Sequence, residues 1–349
     1  MHFSQNVHTC RAADNSNPGL GVASVKSLFG WLVGANIAAW VWALAAFHDR
    51  PVLLGTAFLA WSLGLRHAVD ADHIAAIDNV TRKLVQAGRR SLSVGLFFAL
   101  GHSAVVALVV ALLALAAPAL EQWREVGGLI GTLVSAFFLF AIAIVNLAIF
   151  RSTWRTFRRV RNGAAAPDLA PASGGLLTRL ARPLFALIAK PWHMLPLGFL
   201  FGLGFDTATE IALLGLSATQ AANGLPVGAV LVFPALFAAA MALVDSADGV
   251  LMLNAYGWAI TRPTRRLAYN LTITFVSIVV AFGVGSLELL GLLNERLGPP
   301  GRFWDSIGRL NDHADLLGFV IIGVLVAVWI GALALSRYRR LDEADAVAD

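Results

Sequence analysis

Charge is scarce in this chain. Only 13% of its 349 residues are Asp, Glu, Lys or Arg, about half the share carried by an ordinary soluble domain, while 58% are hydrophobic. With a mean hydropathy of +0.73, the composition excludes a soluble domain and points to a membrane protein. Cysteine is almost missing. Cys10 stands alone in a polar N-terminal stretch, which leaves no intrachain disulfide framework and no thiolate-rich metal centre. There is no Walker A loop, so the chain itself is not expected to hydrolyse ATP, and no His-Glu-x-x-His pattern marks a zinc hydrolase. The first two dozen residues lack the basic, apolar and small-residue regions of a removable signal, and the first apolar helix is expected to act as an uncleaved anchor. Lys and Arg exceed Asp and Glu by 26 to 21, but they fall in short clusters between apolar runs. That is a topological pattern and not a nucleic-acid surface.

What is present is a series of apolar stretches, each near the 20 or so residues that span a bilayer: 28–47, 52–79, 92–117, 126–150, 194–219, 227–260, 267–293 and 316–335. The expected fold is all-α, a polytopic transmembrane bundle of about eight spans. Basic residues follow the even-numbered stretches: Arg82, Lys83, Arg89 and Arg90; a long run from Arg151 to Lys190; Arg262, Arg265 and Arg266; then Arg337, Arg339 and Arg340. The positive-inside rule therefore places both termini in the cytoplasm. Glu121, Arg124 and Glu125 read as an external connection. The organisation is a polar tail (1–27), a first four-helix half (28–150), a basic cytoplasmic loop (151–192), a second four-helix half (193–336) and a cytoplasmic tail (337–349).

The chemistry is concentrated in Arg66-His67-Ala68-Val69-Asp70-Ala71-Asp72-His73. Each charge at mid-membrane costs about 2.5–3.5 kcal/mol on the insertion scale, so a cluster of them there implies a ligand. At roughly 100° per residue from His67, Asp70 falls near 300° and His73 near 240°, on one face. Asp72 lands near 140° on the far side, which calls for either a distorted helix or a supporting role behind a ligand histidine. Val69, near 200° on the same approximate count, lies outside the arc. Imidazole plus carboxylate without thiolate suits nickel, cobalt, zinc or iron; the competing reading is an intramembrane ion-pair network without metal.

Further candidates lie on other stretches. His102, in Gly101-His102-Ser103, reads first as a hydrogen-bonded core histidine, although Gly101 admits a close helix neighbour. Asp206 and Glu210 are four residues apart and so share a helical face with Thr209 beside them, and Asp245 and Asp248 repeat the device at spacing three. Like charges so placed need a cation, a shared proton or Arg66 between them. Asp78, nearer the basic connection, reads as an interfacial partner of Arg82.

In these four motifs the chain resembles the nickel/cobalt transporter (NiCoT) family of eight-helix secondary metal permeases: Arg66 to Ile74, Gly101-His102-Ser103, Leu203 to Glu210, and Met241 through Asp245-Ser246-Ala247-Asp248. Ala104, Ala240 and Ser246 depart from the usual pattern and bear on metal preference. The resemblance implies inward transport of Ni2+ or Co2+ across a bacterial-type cytoplasmic membrane, with no prosthetic group and no enzymatic activity. The expected metal residues are His67, Asp70, Asp72, His73 and His102, with Arg66, Asp206, Thr209, Glu210, Asp245 and Asp248 lining or supporting the pathway. Two rivals remain at this stage, an intramembrane zinc metalloenzyme and a proton-coupled organic-cation carrier.

Overall fold

In the computed structural model the described residues are 22–116, 121–161, 189–204, 207–259, 263–311, 313, 316–328 and 330–331, and the elements among them are all helical. The first five are α1 (Val22–Phe47), α2 (Pro51–His67), α3 (Ala71–Gln86), α4 (Val94–Ala116) and α5 (Glu121–Arg161). After a 3-10 turn at Pro191–His193 come α6 (Met194–Phe201), α7 (Ala208–Ala222), α8 (Val227–Val230), α9 (Val232–Ala259), α10 (Pro263–Leu297), α11 (Arg302–Asn311) and α12 (Leu316–Val328). Residues 1–21, 162–188 and 332–349, which hold most of the expected tails and basic loop, lie outside the described residues.

Helix is the form in which an apolar segment satisfies its own backbone in lipid. Among the described residues, five helical stretches are long and apolar enough to cross a membrane: Ser24–Phe47, Val94–Leu115, Leu129–Arg155, Val227–Tyr256 and Leu271–Leu297. Two bent pairs raise the number to seven, α2 with α3 at 51° and α11 with α12 at 73°. The expected polytopic helical bundle is thus present, and the remaining stretch of the expected eight, 194–219, is divided into α6 and α7.

Both interruptions have local causes. Between α2 and α3 the amides of Val69 and Asp70 donate to the carbonyls of Arg66 and His67 at 3.1 and 2.9 Å, tight turns that replace helical bonds. Asp70 is extended (φ −63°, ψ 146°) and caps α3 with its backbone only. Between α6 and α7, Thr207 caps the second helix: its hydroxyl accepts from the amide of Glu210 at 3.4 Å. Thr207-Ala208-Thr209-Glu210 has the spacing of a capping box, which starts a helix at its second residue. Two further boundaries differ from expectation. Glu121, Arg124 and Glu125 belong to α5 and not to a loop, and α5 continues to Arg161, through the first eleven residues of the expected basic connection. No Gly or Pro interrupts 150–161, so nothing stops the helix at the end of its apolar run.

Helices from before and after the long connection are interleaved: α2, α3 and α4 pack on α9, α5 runs along α10, and α4 along α6. The α4–α6 contact brings the two backbones together. A Cβ on Gly101 would run into the carbonyl of Leu195, and one on Gly198 into the carbonyl of Phe98. Large apolar side chains such as Trp31, Ile37, Phe137, Phe275 and Phe282 stay on the outside, as expected of a surface that faces lipid. Polar residues that turn inward include His67 on α2, His73 and Asp78 on α3, His102 on α4, Glu210 on α7 and Asp245 on α9.

Candidate metal centre

The interruption after α2 is what assembles the site. His67 is the last residue of α2 and His73 lies in the first turn of α3, so the bend folds one ring back over the other. Their centroids are 4.6 Å apart, and His102 from α4 completes a triangle at 4.8 Å from each. All three are at most 2% exposed. One nitrogen from each ring lies within 4.8 Å of the other two, the only such triplet of candidate ligand residues among those described.

Each imidazole has a carboxylate beside it, behind the ring for His67 and His73 and on the shared face for His102. His67 Nδ1 is 2.9 Å from Asp70 Oδ2 and 3.0 Å from Thr209 Oγ1. His73 Nδ1 is 3.3 Å from both oxygens of Asp245, and His102 Nε2 is 2.7 Å from Glu210 Oε1. A carboxylate on one ring nitrogen fixes the tautomer and makes the other nitrogen a better metal ligand. His73 Nε2 is buried without a hydrogen-bond partner among the described residues, as is His102 Nδ1. His67 Nε2 and His102 Nε2 face each other at 2.9 Å. That spacing suits a shared proton, and Glu210 Oε1 lies on the same face, 2.7 Å from His102 Nε2 and 3.8 Å from His67 Nε2, which makes this carboxylate a candidate ligand in its own right.

The other expected residues fall into three groups. Asp72 is half-buried and within electrostatic reach of all three histidines; the bend, and not a continuous helical face, brings it round from the far side. Thr209, Glu210, Asp245 and Asp248 are all buried, but only the first three touch a histidine ring. Arg66 is exposed on the last turn of α2, not buried between the acidic pairs. Asp206 lies outside the described residues, and with it the helical face expected for Asp206 and Glu210.

Sequence reasoning passed over two groups. Thr207 caps α7, donates to Glu210 Oε2 at 3.2 Å and sits 3.4 Å from His67 Nδ1; the capping-box spacing was the signal for it. Asp78 is enclosed by the bundle, with Arg82, its expected partner, within electrostatic reach. It is 3% exposed, with hydrogen bonds from Tyr256 and Ser277, and nothing in the local sequence pointed to those partners on distant helices.

The family described as "NicO: High-affinity nickel-transport protein" matches residues 53–335. A "High-affinity nickel transport protein" of Cupriavidus necator is 54% identical over 331 residues, covering 93% of this chain and 94% of that protein. The "Nickel transporter NicT" of Mycobacterium tuberculosis is 46% identical over 90% of this chain and 89% of its own. The "Cobalt transport protein NhlF" of Rhodococcus rhodochrous is 39% identical over 82% and 84%. No solved structure matches the chain.

Proposed function

The chain belongs to the NicO family of high-affinity nickel-transport proteins, and from that premise we propose that it carries Ni2+ or Co2+ inward across a bacterial-type cytoplasmic membrane through the His67–His73–His102 site. It is a multi-pass membrane transporter and not an enzyme. The observation that carries the site assignment is the set of three buried imidazoles with Asp70 and Asp245 behind two of them and Glu210 between His67 and His102. An N/O donor set without sulfur fits nickel and cobalt, and pairs of carboxylate and imidazole are the usual support of such ligands. Asp72 supplies further negative charge beside the rings.

Energy for uptake is available without nucleotide. A divalent ion moving down the membrane potential gains about 4.6 kcal/mol per 100 mV, enough for roughly three orders of magnitude of accumulation. Cells expressing the chain should take up radioactive nickel from submicromolar medium, with cobalt competing and magnesium in large excess without effect. Uptake no greater than in cells carrying an empty vector would sink the assignment.

The topology we propose has two four-helix halves, 28–150 and 193–336, joined by a basic cytoplasmic connection at 151–192, with both termini on that same side. It rests on the Lys/Arg clusters after the even-numbered stretches. A reporter active only in the periplasm, fused after Asp349, should stay silent; activity there would reverse the orientation.

A further inference from the structure

A helix with no metal-binding side chain lies against the interruption that assembles the site. From Leu316 to Val328, α12 consists of apolar residues only, and none of the four motifs falls on it. Phe319, Val320 and Val324 form its exposed face. The opposite face, Gly318, Ile321 and Leu325, is buried, and Ile321 and Leu325 belong to one apolar cluster with Val69, Ala71 and Ile74.

Gly318 is where the two backbones meet. A Cβ there would fall on the carbonyl oxygen of Val69, 2.8 Å from its carbonyl carbon and 3.2 Å from Ile74 Cδ1. Interrupting a helix leaves carbonyls without their helical amides, and Val69 is the middle residue of the interruption between α2 and α3. Glycine hydrogens lie against such an oxygen as weak donors. A methyl group has no room. His67 is two residues before Val69 and His73 four after it, so whatever fixes the Val69 peptide also fixes the angle at which the two rings meet.

We propose that Gly318 is a positioning residue of the metal centre: through its backbone contact with Val69, α12 holds the 51° bend that folds His73 over His67. The proposal rests on the transport reading above, and it adds to the centre a helix that supplies no ligand. A ligand set works within about 0.5 Å of its productive geometry. Room for a methyl at position 318 demands a larger shift, because an atom that would coincide with the Val69 carbonyl has to be moved to full van der Waals contact. Backbone on both sides leaves no side-chain end to rotate away.

The test uses the purified full-length chain and Co2+ alone as the probe, read by titration for affinity and, at saturation, by the visible absorption that reports how the ligands are arranged. Gly318→Ala should weaken binding by about tenfold or more, as loss of a support behind metal ligands does, and should change the saturated spectrum. Gly323→Ala, on the same helix with nothing within 4 Å of its Cβ, should match wild type in both readings. A glycine needed only for packing behaves differently: the melting temperature falls, while protein that stays folded keeps the wild-type affinity and spectrum. If Gly318→Ala does not fold, Ile321→Ala loosens the same contact from the next turn without a collision, and should weaken binding about threefold or more with an altered spectrum. Wild-type affinity and spectrum in folded Gly318→Ala, or in Ile321→Ala where that variant has to decide, overturn the proposal, as does equal damage from Gly323→Ala. Wild type that binds neither Co2+ nor Ni2+ overturns the transport reading beneath it instead.

Discussion

His67→Ala should abolish high-affinity nickel and cobalt binding and, with it, uptake at submicromolar metal. The substitution removes a proposed ligand nitrogen, and it also removes one of the partners of Asp70, of Thr209 and of His102 Nε2. Loss of a supporting group behind a metal ligand costs about 10–100-fold in affinity; loss of the ligand itself should exceed that range, while the isosteric Asp70→Asn should fall inside it. Alanine favours helix, so α2 should persist. The measurement is metal binding to detergent-purified protein together with its melting temperature. In wild type, nickel at 100 times Kd should add about 2.7 kcal/mol of stability, and His67→Ala should show no such shift. Leu100→Val is the control: Leu100 is exposed on α4, two residues before His102, and should leave both readings unchanged. A wild-type melting temperature indifferent to both metals, with unimpaired uptake in His67→Ala, would leave these histidines as part of a polar core only.

The second large effect comes from a residue that touches no metal. Gly101→Val should prevent stable packing of α4 on α6. The added Cβ collides with the Leu195 carbonyl and with the backbone beyond it, and backbone cannot rotate away as a side chain does. Overpacking ordinarily costs about 1–3 kcal/mol; two helices pressed backbone to backbone on both sides, through Gly101 and Gly198, should lie at or above the top of that range. His102 is the next residue, so even a surviving fold would carry the ring away from Glu210 and His67. Gly101→Ala should be intermediate. Gly34→Ala, whose Cβ meets nothing within 4 Å, should be close to neutral. The check is the yield of monodisperse protein and its melting temperature; a Gly101→Val protein that melts with wild type would show that α6 has room to retreat.

Residue type revealed the site better than periodicity did. His67, Asp70, His73 and His102 were legible because imidazoles and carboxylates are expensive in an apolar setting wherever they fall. Their geometry was not, because counting 100° per residue assumes a continuous helix, and α2 ends at His67. Ala68-Val69-Asp70 contains no Gly or Pro to announce that end. Asp70 turns to His67 only three residues away without a residue type that announces it, and Gly318 of α12, where a Cβ would sit on the Val69 carbonyl, is a neighbour that no local window contains. For the same reason Val69, placed outside the arc on a straight helix, is buried in the turn at 7% exposure. The second break was legible, since Thr207-x-x-Glu210 is a start signal. Asp78 was not, because Ser277 is 199 residues away along the chain.

Separation along the chain also sets a timetable for making the protein. His73 meets Asp245 across 172 residues, and His102 meets Glu210 across 108. At a synthesis rate of about 5–20 residues per second, roughly ten to thirty seconds pass between the emergence of His73 and that of its carboxylate. During that interval α2 and α3 hold histidines and acids at the membrane with no bundle around them, so their insertion has to await the later helices or be assisted until those arrive. A ribosome stalled before α9 leaves a product in which His73 lacks the Asp245 carboxylate, so the buried histidine cluster is complete only once translation has run through α9.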